Sequence, residues 1–166
     1  MKSPKGRLLI IGGKEDKNGE NSDMKKNNSD FIPNEILKLL AQSKDDRIEI
    51  ITTASEEPEE VPKTYTETLE KIGYTNFDFL DISDRELHSD HHIKRIEEAK
   101  TIFFSGGDQN RIFETLKESV LHKIILEKYE NEEDFTIAGT SAGAMCIPDF
   151  VILEGENGEA MLEDEI

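Results

Sequence analysis

Short apolar segments that end in turns of small residues constrain the fold of this chain more than any other feature. They are the four segments Arg7 to Ile11, Arg47 to Thr53, Thr101 to Phe104 and Phe135 to Ala138. The first is continuously apolar after Arg7 and closes at Gly12, a pattern typical of a strand buried on both faces of a sheet. We therefore expect this strand to lie in the centre of the sheet.

Helical patterns alternate with these segments. A further strand is predicted over Phe77 to Ile82, and the polar stretch Lys14 to Asp30 predicts a loop. Helices are predicted from Pro33 to Leu40 with Ile36, Leu39 and Leu40 on one face, from Val61 to Ile72, around Ile93 to Ala99, and from Arg111 to Tyr129 with a break near Ser119. Strands that alternate with helices imply right-handed crossovers, and so an α/β fold with a parallel sheet covered on both faces. From Ala144 to Ile166 the pattern weakens, and no further strand and helix pair is predicted.

The charge balance limits the classes of partner. The chain has 37 acidic and 20 basic side chains and a formal net charge of −17. Nucleic acids and anionic membranes attract basic surfaces, so the charge argues against both. A cationic substrate is compatible with it, although surplus acids can also serve solubility alone.

Length and cysteine content indicate one domain in a reducing compartment. The 166 residues suffice for one compact domain, and Cys146, as the single cysteine, cannot form an internal disulfide. The apolar run after Arg7 is too short for a signal-peptide core or a membrane span. We expect a cytoplasmic, soluble protein without a membrane association.

The segment Gly139-Thr140-Ser141-Ala142-Gly143 matches G-x-S-x-G, the nucleophile elbow. In such an elbow a sharp strand-to-helix turn exposes the serine, and the amide of the next residue can donate to a developing oxyanion. Turns of small residues are common, so the pattern alone is weak. The apolar strand before it favours the catalytic interpretation, because open α/β sheets place their sites at the carboxyl ends of strands.

The segment Ser105-Gly106-Gly107-Asp108-Gln109 follows the preceding predicted strand. Its glycine amides could supply a second oxyanion donor if the two strands are neighbours. The alternative is a glycine turn followed by a helix that Asp108 caps.

For the other candidate residues the sequence favours structural roles over catalytic or ligand-binding ones. Gly12 and Gly13 lack the spacing of a nucleotide-binding turn, and the acids Glu15 and Asp16, just after Lys14, would repel a phosphate. The histidines at 88, 91 and 92 with the aspartate at 90 lack a second ligand cluster, so a solvated helix entrance is favoured over a metal site. His122 is expected at a surface or half-buried position, and Cys146 in the core.

Four motifs in order resemble the cyanophycinases, which belong to a family of serine peptidases that also contains the aspartyl dipeptidases. They are Ile10 to Lys17, Thr53 to Ser55, Phe104 to Gln109 and Gly139 to Ala144. The resemblance extends to about Ile147. It implies a three-layer α/β/α sandwich with a mainly parallel sheet, of the class I glutamine-amidotransferase-like (flavodoxin-like) type.

The resemblance also implies roles for single residues. Ser141 would be the nucleophile, the amides of Gly107 and Ala142 the oxyanion donors, and Gln109 and Asp108 substrate-binding residues. The substrate would be cyanophycin, a polyaspartate with arginine on its side chains, or another β-aspartyl peptide, and the products β-aspartyl-arginine dipeptides. The resemblance implies no metal or organic cofactor. It also implies that the protein forms a homodimer.

One departure from the family concerns the general base. The resemblance places the catalytic histidine downstream of the serine, but the sequence has no histidine after His122. Residues 1–166 are therefore expected to form only the N-terminal part of the family domain. Two alternatives stay open: an exopeptidase similar to the aspartyl dipeptidases, and an inactive fragment that acts as a binding domain.

Overall fold

Five parallel strands form the centre of the molecule. The computed structural model describes residues 3–12, 34–55, 60–82 and 89–147, and the backbone of 150–154 and 160–164. The five strands are β1 (Arg7–Ile11), β2 (Ile48–Ile51), β3 (Phe77–Leu80), β4 (Thr101–Phe104) and β5 (Thr136–Thr140). The predicted loop at Lys14 to Asp30 lies outside the described residues.

The strand order β1-β5-β4-β2-β3 brings the two glycine-rich turns together. Every neighbouring pair in this sheet is parallel, and β5 lies between β1 and β4. The carboxyl ends of β4 and β5 therefore lie side by side at one end of the sheet. This arrangement confirms the predicted α/β fold with a parallel sheet.

Helices cover both faces of the sheet. After a short 3-10 helix (Ile36–Leu39) they are α1 (Glu60–Lys71), α2 (Asp90–Glu98), α3 (Gln109–Leu116), α4 (Val120–Asn131) and α5 (Ala142–Met145). On one face Tyr65 and Leu69 of α1 pack with Phe103 of β4. On the other face α2, α3 and α4 pack with Ile102 and Ile137. The result is the predicted three-layer sandwich, and no helix of the described part is long and apolar enough to span a membrane.

The prediction that the first strand is central is wrong. Among the described strands, β1 pairs only with β5 and forms an edge of the sheet. Leu9 and Ile11 pack into the core, whereas Leu8 and Ile10 are 47% and 54% exposed. The continuous apolar run correctly indicates that both faces of β1 are apolar. It does not show that both faces are buried, because the face with Leu8 and Ile10 is largely exposed.

Two helical predictions are refined by the structure. The long predicted helix is broken between Leu116 and Val120, as expected, where Glu118 has a positive φ of 59° and the Ser119 hydroxyl caps the next helix. The segment after Pro33 forms a 3-10 helix, in which residues three apart share a face. Leu37 and Leu40 are therefore buried, and Leu39 is half exposed, contrary to the predicted face.

The acidic end of the chain forms an antiparallel pair of strands. They are β6 (Phe150–Glu154) and β7 (Ala160–Asp164), and they form a two-stranded sheet of their own, with Phe150 opposite Asp164. The two strands were not predicted individually, and they are not the strand and helix pair that would complete the main sheet. Because β6 and β7 do not join the five-stranded sheet, the weak pattern correctly indicated that this sheet is not extended here.

A buried carboxylate links β2 to α2 at the opposite end of the sheet from the glycine turns. Glu49 on β2 is fully buried and accepts hydrogen bonds from the guanidinium groups of Arg47, at 2.8 Å, and Arg95. Arg95 also donates to the carbonyl of Phe79 at 3.0 Å. A buried charge is tolerated only with such partners, so this group of contacts fixes α2 on the sheet.

Candidate active site

Ser141 lies at the sharp turn between β5 and α5. Its backbone has φ 52° and ψ −122°, a conformation that residues with a side chain rarely adopt, and the residue is exposed. Holding a non-glycine residue in such a region costs of order 1–3 kcal/mol and persists only where the surroundings enforce it. The backbone therefore has the strained, exposing geometry of a nucleophile elbow.

The glycines on either side of Ser141 make the turn possible. A Cβ atom at Gly139 would overlap the carbonyl of Gly143, and one at Gly143 would overlap the carbonyl of Phe104 and lie 2.7 Å from that of Ser105. No side chain fits at either position. The absence of side chains lets α5 pack directly onto the ends of β4 and β5.

The second glycine turn lies against the elbow, as predicted from the neighbouring strands. A Cβ atom at Gly106 would be 3.3 Å from the Cβ of Ser141 and 3.8 Å from its hydroxyl oxygen. Gly107 has φ 148°, and a side chain there would overlap the carbonyl of Ala54. The same carbonyl accepts a hydrogen bond from the amide of Asp108 at 2.9 Å. The Ala54 backbone thus supports the turn, and no side-chain motif signalled this contact in the sequence.

The amide of Ala142 has no hydrogen-bond acceptor within α5. Ala142 is the first residue of that helix, and the first amides of a helix have no acceptor inside it. The hydrogen bonds to the Ser141 carbonyl come from the amides of Ala144 and Met145, three and four residues after Ser141. An anion next to Ser141 could therefore accept from the Ala142 amide.

Asp108 and Gln109 begin α3 beside the turn. The Asp108 carboxylate accepts a hydrogen bond from the Asn110 amide at 2.9 Å and so caps the helix. The Gln109 carbonyl accepts from the Cys146 thiol at 3.6 Å. The capping role expected as the alternative for Asp108 is therefore present, while substrate binding by either side chain stays a prediction.

One buried polar group at the site has no evident structural role. Ser105, directly after β4, is 1% exposed, and its hydroxyl has no hydrogen-bond partner among the described residues. The backbone amide of Ser105 does have a partner, since it donates a hydrogen bond to the carbonyl of Ile51 at 3.0 Å. The sequence identified Ser105 only as part of a turn, because nothing in the local pattern distinguishes a buried serine from an exposed one.

Cys146 lies behind the elbow in the core, as predicted. It is buried, and its thiol donates to the carbonyl of Ala142 at 3.3 Å. Burial, together with the nearby Asp108 carboxylate, raises the pKa of the thiol from 9.0 to about 12. A thiol that stays protonated at neutral pH is a poor nucleophile, so Cys146 does not substitute for Ser141.

The histidines of the described part lie on helices away from the elbow turn. His122 is half-buried on α4, as predicted, and lines a cavity with Phe104 and Cys146. His91 is exposed and His92 buried on α2, and His88 lies outside the described residues. Within the described ranges the Ser141 hydroxyl forms no hydrogen bond to a histidine, and no group of three potential metal ligands is present.

Comparison with known proteins identifies the family. The model of peptidase family S51 matches residues 9–161. A cyanophycinase of Nostoc sp. strain PCC 7120 is 32% identical and aligns with 96% of this chain and 51% of its own length. A cyanophycinase of Geminocystis herdmanii is 31% identical, with 92% and 53% covered. The chain thus spans about half the length of these curated relatives.

Solved structures share the fold. A peptidase from an acI-B1 Actinobacterium superposes with a TM-score of 0.65 at 22% identity, covering 92% of this chain and 61% of the other. A putative peptidase E protein from Listeria monocytogenes gives 0.62 at 19% identity, with 90% and 64% covered. The family match and the shared fold agree with the resemblance that the motifs indicated. The chain belongs to peptidase family S51.

Proposed function

We propose that this protein takes part in the hydrolysis of β-aspartyl peptides, with cyanophycin as the substrate, through an acyl-enzyme formed on Ser141. The observation that carries the proposal is the exposed Ser141 with φ 52° at the strand-to-helix turn. Relatives named cyanophycinase at about 30% identity support the choice of substrate.

The proposed reaction has two halves. The Ser141 oxygen attacks the scissile carbonyl as a base takes its proton, and the tetrahedral intermediate collapses when the leaving amine receives that proton. Water then hydrolyses the ester to release the second product and the free serine. The amides of Gly107 and Ala142 are proposed to stabilise the oxyanion of both intermediates, and one such donor contributes about 3 kcal/mol in another serine hydrolase.

The absence of a side chain at Gly106 leaves room for the substrate. Because a Cβ there would be 3.3 Å from the Cβ of Ser141, any larger residue would occupy space beside the nucleophile. Gln109 and Asp108, which directly follow the turn, are proposed to contact the peptide. The net charge of −17 would favour approach of a substrate that carries arginine side chains.

A second candidate function is that of a binding domain. It is favoured by one observation, namely that the Ser141 hydroxyl has no hydrogen-bonded base among the described residues. A serine without a positioned base loses orders of magnitude in rate, so a chain with this site alone could bind peptide without cleaving it.

The test is incubation with purified cyanophycin while the release of β-aspartyl-arginine is followed. The chain is assayed alone and in a version extended to include a downstream histidine, each with Ser141→Ala and, as a matched control, Ser3→Ala at an exposed position. Release that needs Ser141 but not Ser3 supports the proposal. Release that survives Ser141→Ala contradicts it, and polymer binding without release in both versions favours the binding domain. Faster cleavage of free β-aspartyl dipeptides than of polymer would indicate a dipeptidase instead.

A further inference from the structure

Two hydrogen bonds join the start of α3 to adjacent carbonyls in the turn after β2. The amide of Asp108 donates to the carbonyl of Ala54 at 2.9 Å. The guanidinium of Arg111 donates from Nη1 to the carbonyl of Ser55 at 3.2 Å. One such bond would leave the two segments free to pivot about it. Bonds to two successive carbonyls also fix the orientation of the β2 turn relative to α3.

Helix stability does not explain an arginine at position 111. The residue lies in the first turn of α3, where the positive end of the helix dipole disfavours a cation. Side chains on a helix lean toward its N-terminus, so this position directs the guanidinium back toward the β2 turn. Ser55, which accepts the bond, is buried, and a hydrogen bond from a charged donor is stronger than one from an amide. The contact with Ser55 therefore accounts for the arginine.

The backbone held in this way is the one against which Gly107 packs. A Cβ at Gly107 would overlap the carbonyl of Ala54 and lie 2.9 Å from the amide nitrogen of Ser55. The Gly107 amide belongs to the peptide unit that follows Gly106, and a Cβ at Gly106 would be 3.3 Å from the Cβ of Ser141. The direction of this amide near the proposed nucleophile thus depends on the position of the β2 turn.

We propose that Arg111 is a positioning residue, which holds the β2 turn against Gly107 and so keeps the Gly107 amide directed at the oxyanion. Arg111 acts through the backbone of Ser55 and not by touching the substrate. The catalytic part of this role rests on the proposed function, whereas the tie between α3 and the β2 turn does not. A misplacement of about 1 Å in a catalytic group can lower the rate about a hundredfold, so a small shift of this turn matters.

The tie is tested by hydrogen exchange of single amides, followed by NMR, in the 166-residue chain. In Arg111→Ala the Asp108 amide should exchange about tenfold faster, because its bond to Ala54 opens more often. Arg111→Lys keeps a charged donor and should give an intermediate rate. The matched control is Lys123→Ala, which removes a cation from an exposed position on α4 and should leave the rate unchanged.

The amide of Ile125, in the core of α4, reports opening of the whole chain. Its exchange should stay the same in every variant. Unchanged exchange of Asp108 in Arg111→Ala overturns the tie. An acceleration that Ile125 shares equally would show that Arg111 stabilises only the chain as a whole, and it also overturns the proposal.

The catalytic part is tested by cyanophycin hydrolysis in the version extended to include a downstream histidine. Arg111→Ala should lower kcat at least about tenfold and change KM less than about twofold, since an oxyanion donor acts in the transition state. Arg111→Lys should restore part of kcat, and Lys123→Ala should match the unaltered protein. A raised KM with kcat unchanged would mean that Arg111 binds the peptide, which overturns its positioning role. No cleavage by the unaltered extended protein would overturn the proposed function and this catalytic part together, while the exchange rates still decide on the tie.

Discussion

The amide of Ser141 donates a hydrogen bond of 3.2 Å to the carbonyl of Ile11. This bond ties the elbow to the last residue of the edge strand β1, while on the other side Gly143 of the elbow packs closely against the carbonyl of Phe104, the last residue of β4. The strained backbone of Ser141 is thus held from both neighbouring strands. The strain belongs to the folded state alone, so it can be measured through stability.

Replacing Ser141 by glycine should give a more stable chain than replacing it by alanine. Glycine adopts φ 52° without a clash, whereas alanine keeps the Cβ, so we expect the free energy of unfolding of Ser141→Gly to exceed that of Ser141→Ala by about 1 kcal/mol. Denaturant unfolding measures the difference. At the exposed helical position Glu67 the order should reverse, because glycine is unfavourable there. The same order at both positions would contradict strain at Ser141.

Gly143 should tolerate no side chain. In Gly143→Ala the new methyl group would overlap the backbone of Phe104, which cannot move without displacing β4. We expect a loss of more than about 3 kcal/mol in the free energy of unfolding, or failure to fold. Gly12→Ala is the matched control, since nothing lies within 4 Å of a Cβ there, and it should change stability by less than about 0.5 kcal/mol. Equal effects in the two variants would show that α5 does not pack as described.

Local patterns in the sequence predicted most of the elements but not their neighbours. Apolar runs and turn residues gave all five strands of the sheet to within about two residues, because both signals are local. The edge position of β1 was missed, since strand order depends on which distant segments pair. Leu37 was missed as a core residue because the segment forms a 3-10 helix, with three residues per turn, and not the predicted α-helix. Over a single short turn the two repeats give nearly the same apolar pattern in the sequence.

The site was predictable where a motif dictates the backbone. Small residues around Ser141 and at Gly107 are required by close contacts, and the sequence displays them directly. The support of the second turn by the Ala54 carbonyl was not predictable, because any residue has a carbonyl. The burial of Ser105 depends on tertiary packing, which a serine beside two glycines does not signal.

Cys146 should be unreactive in the folded chain. Because burial raises the pKa of its thiol to about 12, the thiolate is scarce at neutral pH, and alkylation should proceed only as fast as the chain unfolds. Denaturant should accelerate labelling by iodoacetamide strongly, and mass spectrometry measures its extent. Rapid stoichiometric labelling of the native chain at pH 7 would contradict the buried position.

The raised pKa of Cys146 also predicts a pH dependence of stability. The unfolded thiol ionises near its ordinary value of 9.0, whereas the folded thiol stays protonated to about 12. The unfolded state therefore releases a proton first, and stability that is present below pH 9 should be lost as the pH rises from 9 toward 12. Cys146→Ala lacks this group, so its unfolding free energy should fall less over the same range. Parallel curves for the two proteins would contradict the shift.

Removing the Glu49 carboxylate should destabilise the chain far more than removing an exposed ion pair. Glu49→Gln leaves the Arg95 guanidinium, 16% exposed, without its main anionic partner, although the Asp78 carboxylate stays within 3.4 Å. Truncating one member of a buried pair costs about 3 kcal/mol, which denaturant unfolding would detect. The control is Lys63→Gln, which removes the exposed pair with Glu60 and should cost less than about 0.5 kcal/mol. If both variants cost the same, β2 and α2 are not joined through Glu49.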